Sequence, residues 1–331
     1  MNYKLSTKIL KEIKKANRIL VNCHRSPDPD AVGSALAFYQ VLIRLGKEVK
    51  IISPSDIFPD VMFLPLTEKI QKIDYATFDF GKYDLFVSLD SANISMITGK
   101  KVGEKPDIPI IVIDHHKTND FYGAINLVDE TVSSTAELLY VIFEDWGIEI
   151  DKAIAQLLLT GIIADTGVFE YQGVTSQTLG IAQKLMAKGA DKNEIILNIF
   201  RTTPFSKLKF WGEIIRRMEI DEKYKFVWSA IPYSVYKDFG KPLSAKESAA
   251  SMFASTVNDT DFGMIMVEER REILSISLRS RKDFDVSLVA EKLEGGGHKT
   301  AAGAKIYDLP FEKAVEKVLS VARKVVDEKK D

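Results

Sequence analysis

The chain has 331 residues, 46% hydrophobic and 28% charged, with a formal net charge of -2. That length exceeds what one core ordinarily fills, so two domains are expected. The near-neutral charge excludes a protein that tracks long duplex nucleic acid through many Lys/Arg–phosphate contacts, while a short or single-nucleotide substrate remains compatible. Cys23 is the single cysteine, which gives no disulfide framework and points to a cytoplasmic setting. The opening MNYKLSTKILKEIKKANR reads as an amphipathic helix too charged for a secretory segment, and no apolar run approaches membrane-spanning length. No membrane partner is expected.

The first half alternates short β-rich runs with helical patterns. A strand is predicted over 18–22. A helix over 30–45 follows, spaced by Ala31, Leu36, Ala37, Val41 and Leu45 and stopped at Gly46. Runs at 48–52, 83–89 and 108–113 are almost wholly apolar instead of alternating, the pattern of parallel strands buried on both faces. Helices are predicted over 134–146, over 152–164 and from about 176 onwards. This alternation implies a doubly wound, mostly parallel α/β sheet for residues 1–190. Residues 191–218 read as a helical connector, with Pro204 starting its second helix. Residues 219–331 read as a smaller α/β domain with strands over 225–231, 262–268 and 273–279. Within it, Ser244-Ala-Lys-Glu247 has capping-box spacing and should open a helix towards Ser255. A short helix over 285–293 and a final helix from Pro310 complete the chain.

All four histidines lie beside aspartates or glycines. His24 opens CHRSPDPD after the first strand, Asp90 ends the strand at 83–89, and Asp114-His115-His116 ends the strand at 108–113. Ligands in open parallel sheets bind beyond the carboxyl ends of strands, so three strands deliver His and Asp to one rim. Pro27 and Pro29 fix φ around Asp28 and Asp30, holding those carboxylates close. Asp30 then falls at a helix start, where the positive dipole end tolerates an anion. Asp28, Asp30, Asp90, Asp114 and Asp165 at one rim would repel one another unless cations compensate them. A mixed His/Asp set suits Mn²⁺, Mg²⁺ or Zn²⁺, and the excess of carboxylate oxygen favours manganese or magnesium. Two such ions about 3.5–4 Å apart activate a bridging water and stabilise both oxygens of an in-line displacement at phosphorus. Hydrolysis of a phosphoester is implied. Singly, each residue has a plainer reading: a turn at Asp165, a helix start at Asp90, a cap at His24. Their convergence at strand ends weighs against those readings.

In the second domain, Gly295, Gly296 and Gly297 would let backbone amides approach an anion closely, with His298 and Lys299 as added donors. Arg279 and Arg281 in SLRSR offer a bidentate phosphate clamp. A helix C-cap followed by a loop explains the glycines about equally well, and a charged strand edge explains the arginines.

HRSPDPDAVGSALA, SLDSAN, DHHKTN and GIIADTG together resemble the four successive motifs of the DHH phosphoesterase superfamily. EGGGHKTAAGA, preceded by LRSR, resembles the signature of the DHH-associated C-terminal domain. The overall length is similar to that of the NrnA-like subfamily, oligoribonucleases that also act as phosphatases of 3′-phosphoadenosine 5′-phosphate. The resemblance implies two Mn²⁺ ions, or Mg²⁺ in their place. One would be bound by His24, Asp28 and Asp90, the other by Asp30, Asp90, His115 and Asp165, with Asp90 bridging. Asp114 would orient the neighbouring metal-bound imidazole, and His116 would face the scissile phosphate as stabiliser or proton donor. Arg279, His298 and the backbone of Gly295, Gly296 and Gly297 would hold the substrate across an interdomain cleft, with Arg25 and Asn119 as weaker substrate contacts, each equally readable as a loop-stabilising polar residue. Short oligonucleotides and 3′-phosphoadenosine 5′-phosphate are the expected substrates. Cleavage of cyclic or linear diadenylate is the runner-up; inorganic pyrophosphatase and a non-catalytic nucleotide-binding module rank lower. Apolar helix faces leave a homodimer open.

Overall fold

Strands buried on both faces need cover on both sides, and the first half of the chain supplies it. The computed structural model describes residues 3–99, 105–171 and 173–329. Strands β1 (Arg18–Asn22), β2 (Glu48–Ser53), β3 (Ile70–Lys72), β4 (Leu85–Leu89), β5 (Ile110–Asp114) and β6 (Ile125–Val128) form one sheet in the order β3-β2-β1-β4-β5-β6. Every pairing in it is parallel. The helices are α1 (Lys4–Lys15), α2 (Pro29–Arg44), α3 (Ile94–Thr98), α4 (Thr135–Asp145), α5 (Lys152–Asp165), α6 (Ser176–Ala187) and α7 (Lys192–Phe200). One face of the sheet packs Val21, Val87 and Ile113 against α2, α4 and α5. The other packs Leu20, Phe86 and Val112 under α3 and the aromatic residues Tyr75, Phe78 and Phe80. Strand order reverses between β1 and β4, which opens a crevice at their carboxyl ends.

Helices α2 and α5 approach closely through glycine. A Cβ on Gly33 would lie 2.5 Å from the Leu157 carbonyl oxygen. The expected α/β sheet is present, with β3 and β6 added at the edges. Both are too short for periodicity to announce.

The chain divides into two compact units between Thr202 and Thr203. The stretch expected as a connector is therefore shared out. Ile195 of α7 is fully buried in the first core, whereas α8 (Phe205–Arg216) buries Phe210, Trp211 and Ile214 in the second unit. The second unit continues with β7 (Glu219–Asp221), β8 (Phe226–Ile231), α9 (Tyr233–Asp238), α10 (Ala245–Ala249), β9 (Phe262–Arg270) and β10 (Ile273–Ser280). It ends with α11 (Ser287–Lys292), β11 (Gly296–Gly297), β12 (Ala301–Tyr307) and α12 (Phe311–Glu328). Its sheet runs β11-β12-β10-β9-β8-β7, antiparallel except for β8 beside β9. Helices α11 and α12 cover one face, α8 and α10 the other.

The capping box expected at Ser244 does not form. Ser244 takes a left-handed φ of 52° and makes no side-chain cap bond, although a helical run does begin at Ala245. A capping box forms instead at α6, between Thr175 and Thr178. Among the described residues no helix is long and apolar enough to cross a membrane.

Replacing Gly33 by Ala is expected to cost about 1–3 kcal/mol, because the opposing oxygen is backbone and cannot rotate aside. A lower urea midpoint at unchanged slope would report this; an unchanged midpoint would mean that the two helices have room to spare.

Candidate metal centre

The crevice at the ends of β1, β4 and β5 collects the histidines and aspartates. His24 follows β1 and contacts the carbonyl oxygen of Arg25 through Nδ1 at 2.9 Å. That contact makes Nδ1 a donor to the carbonyl and turns Nε2 inward. There Nε2 lies 3.6 Å from Asp28 Oδ2 and 3.5 Å from Asp90 Oδ2. Asp28 serves two purposes: its Oδ1 caps α2 by accepting the Ala31 N–H at 2.9 Å, which leaves Oδ2 for the site. Asp90 leaves β4 with a left-handed φ of 51°, a conformation that Asp tolerates better than most residues. Its Oδ1 lies 3.6 Å from His115 Nε2 and accepts the Thr135 hydroxyl at 3.0 Å. The two oxygens of Asp90 thus face two different imidazoles.

Asp30 is fully buried. Its carboxylate receives the first N–H groups of α4, from Thr135 at 2.7 Å and Ala136 at 3.0 Å, where the helix dipole favours an anion. Gly161 of α5 makes this possible, since a Cβ there would strike Asp30 Oδ1 and come within 2.6 Å of Ala136 Cβ. Asp165 ends α5 and places Oδ2 3.1 Å from His115 Nε2. Three groups result whose ligand atoms lie within 4.8 Å of one another: His24, Asp28 and Asp90; Asp30, His115 and Asp165; and Asp90, His115 and His116. All six metal ligands expected from sequence come together in these groups.

The DHH triplet divides its work differently from expectation. Asp114 Oδ1 pairs with His116 Nδ1 at 2.7 Å, so the imidazole it orients is that of His116. Asp114 Oδ2 accepts the Asn119 amide at 2.6 Å. Asn119, with 6% exposure, also donates to Ser91 O and accepts from Phe121 N–H. Of the two readings of Asn119, these bonds match the loop-stabilising one, with its amide holding Asp114 from inside the fold. His116 keeps 42% of its side chain exposed, with Nε2 as its outward nitrogen. Arg25 is exposed beside His24.

Charge within the metal-free cluster is balanced by protons. Burial opposes a charged His24, but the carboxylates of Asp28 and Asp90 outweigh it and push the imidazole up to about 11. His115 is likewise disfavoured as a cation by burial, yet Asp165, Asp90 and Asp30 push it up to about 10. Burial, with Asp90 adding to it, pushes the Asp165 carboxyl up to about 6. Asp30 is raised well above the usual carboxylate range by burial and by Asp90 and Asp165. Crowded carboxylates and inward imidazoles of this kind fit hard or borderline divalent cations, which would replace the protons.

The second unit holds the glycine string. Glu294, at φ 58°, closes α11, and the Gly295 N–H bonds the Ala290 carbonyl at 2.8 Å. Gly296 and Gly297 pair with Gly303 and Ala302, and His298 turns the chain into β12 by bonding Ala301. A Cβ on Gly295 would come within 2.7 Å of Ala304 Cβ, and one on Gly297 within 2.5 Å of Ala302 Cα. Glycine at these two positions is therefore required by the hairpin; Gly296 alone faces open space. A cavity of about 620 Å³ is lined by the three glycines, Arg279, Lys246, Ser277 and neighbours from β10 and β12. His298 is exposed and does not line it. Nor does Arg281, which donates Nη1 to Thr260 O and Nη2 to Asn258.

Comparison with known proteins places the chain in a family. Residues 18–162 match the family model "DHH family, N-terminal domain", and residues 231–328 match "DHHA1 domain". A Thermus thermophilus protein named bifunctional oligoribonuclease and PAP phosphatase NrnA is 30% identical over 327 residues, covering 97% of this chain and 93% of that protein. The Bacillus subtilis protein of the same name is 27% identical, covering 92% of this chain and 94% of that one. The crystal structure of an exopolyphosphatase-related protein from Bacteroides fragilis superposes with a TM-score of 0.86 at 25% identity, covering 98% of this chain and 97% of that one. The chain belongs to the DHH phosphoesterase family.

Titrating the metal-free protein with Mn²⁺ at pH 7 should release protons, since His24 and His115 are held charged at that pH. Apparent affinity should therefore rise with pH, and heats measured in buffers of different ionisation enthalpy should differ. Identical heats in all buffers would contradict the protonated state of the imidazoles. Gly161→Ala should weaken Mn²⁺ binding by displacing Asp30, and binding equal to that of the parent protein would sink this role for the glycine.

Proposed function

We propose that this chain hydrolyses short oligoribonucleotides to 5′-mononucleotides and releases AMP from 3′-phosphoadenosine 5′-phosphate, using two divalent ions with manganese preferred. The observation that carries the reading is Asp90, whose Oδ2 lies 3.5 Å from His24 while Oδ1 lies 3.6 Å from His115. A carboxylate placed this way suits a bridge between two cations. His24, Asp28 and Asp90 would hold one ion, and Asp30, Asp90, His115 and Asp165 the other. When bound, the pair supplies a water of lowered pKa and neutralises charge on the phosphate oxygens.

The remaining work falls to the chain. The Asp114 carboxylate beside His116 raises that imidazole above its usual range. That favours the protonated imidazole, with Nδ1 held by Asp114 and Nε2 left to donate a proton to a leaving oxygen. In the second unit, Arg279 donates Nε to Ser251 at 3.0 Å and Nη1 to Leu278 O at 2.9 Å. These bonds orient a partly desolvated guanidinium at the cavity, where it would bind a substrate phosphate. The glycine hairpin would form the opposite wall. Full-length similarity to the two NrnA proteins supports the choice of short oligoribonucleotides over long nucleic acid.

A panel with Mn²⁺ or Mg²⁺ should compare the linear dinucleotide pApA, cyclic diadenylate, 3′-phosphoadenosine 5′-phosphate, pyrophosphate and RNAs of increasing length. Turnover should be fastest on the dinucleotide and on 3′-phosphoadenosine 5′-phosphate; a preference for pyrophosphate or for long RNA would refute the reading. His116→Ala should lower kcat by about 10²–10⁴-fold while the protein still binds two ions, and an unchanged kcat would remove His116 from the chemistry.

A further inference from the structure

We infer that Thr135, which carries no liganding role, is a positioning residue that sets the twist of the Asp90 carboxylate. The inference rests on the two-ion reading above. Thr135 is the first residue of α4, but Ser134 already caps that helix by accepting the Glu137 N–H. The Thr135 hydroxyl is therefore released from capping. At the first position of α4 the hydroxyl has no preceding carbonyl of its own helix to return to. It donates to Asp90 Oδ1 at 3.0 Å, while the Thr135 N–H donates to Asp30 Oδ2 at 2.7 Å. One buried residue thus ties together two carboxylates that reach the site from different elements, α2 and the end of β4.

The bond matters because the last torsion of an aspartate is intrinsically broad. Bridging needs that torsion fixed, with Oδ1 towards His115 and Oδ2 towards His24. Asp90 sits in a left-handed backbone conformation at the end of β4, which places its Cβ but leaves the carboxylate free to rotate. The Thr135 hydroxyl removes that freedom. Partners of this kind commonly change metal affinity or activity by about 10–100-fold.

Thr135→Val keeps the branched shape and the N–H to Asp30 and deletes only the O–H. Thr135→Ser restores the O–H. Metal-free proteins should be titrated with Mn²⁺ by calorimetry, and the bound ions examined by electron paramagnetic resonance. The parent protein should bind two ions and show an exchange-coupled pair. The valine variant should bind the pair about 10–100-fold more weakly and show a growing six-line spectrum of isolated Mn²⁺, with the serine variant returning to parental behaviour. If the valine variant does not fold, as judged by circular dichroism, Thr135→Ala carries the same test. Two ions bound with parental affinity and a coupled spectrum in the valine or alanine variant would overturn the role of Thr135 alone. A parent protein that binds fewer than two ions would overturn the two-ion reading and this inference together.

Discussion

Mutual repulsion among the carboxylates at the end of one parallel sheet is the constraint that organises the first unit. Each aspartate at the rim is met by a donor of its own. Asp28 caps α2, Asp30 receives the first turn of α4, and Asp90 receives the Thr135 hydroxyl. Asp114 lies between His116 and Asn119, and Asp165 faces His115. Helix N-termini and neutral donors are the means by which a fold holds anions close without a full counter-charge. What they leave unbalanced is the inward charge that protons carry in the metal-free state and that divalent ions would carry in the bound state.

Holding Asp30 in that position shapes the helix layer. Helices α2 and α5 meet at Gly33 and Gly161, and Gly161 also gives room to the Asp30 carboxylate and to Ala136. Close packing and site geometry are therefore one requirement. The same backbone approach that seals the core brings Asp30, from the start of α2, towards Asp165, at the end of α5. A glycine inside a helix costs roughly 1 kcal/mol relative to alanine, a cost accepted here in exchange for the approach.

The second unit shows the same economy in a different form. Gly295 and Gly297 are demanded by the proximity of β12, and the hairpin they permit forms one wall of the cavity beside Arg279. The structural and the substrate-binding readings of the glycine string are thus compatible. Only Gly296 is free of the packing requirement.

Much of the site was legible in the chain. Apolar runs without alternation announce buried parallel strands, and polar residues directly after such runs must fall on one rim, so His24, Asp90 and the DHH triplet could be located together. Residue partnerships were not legible, because they join distant stretches. Thr135 lies 105 positions from Asp30 and 45 from Asp90, and in sequence it reads only as a helix start. Asn119 reads equally as a substrate contact or a loop stabiliser until Asp114 and Ser91 close around it. The strand Ala301–Tyr307 is rich in alanine and glycine, residues with little intrinsic strand preference, and it exists because β10 pairs along its whole length. Composition and periodicity thus determined the sheet, its rim and the candidate ligands. Tertiary packing alone decided which donor meets which carboxylate, since a hydrogen bond across many residues of chain leaves no local trace.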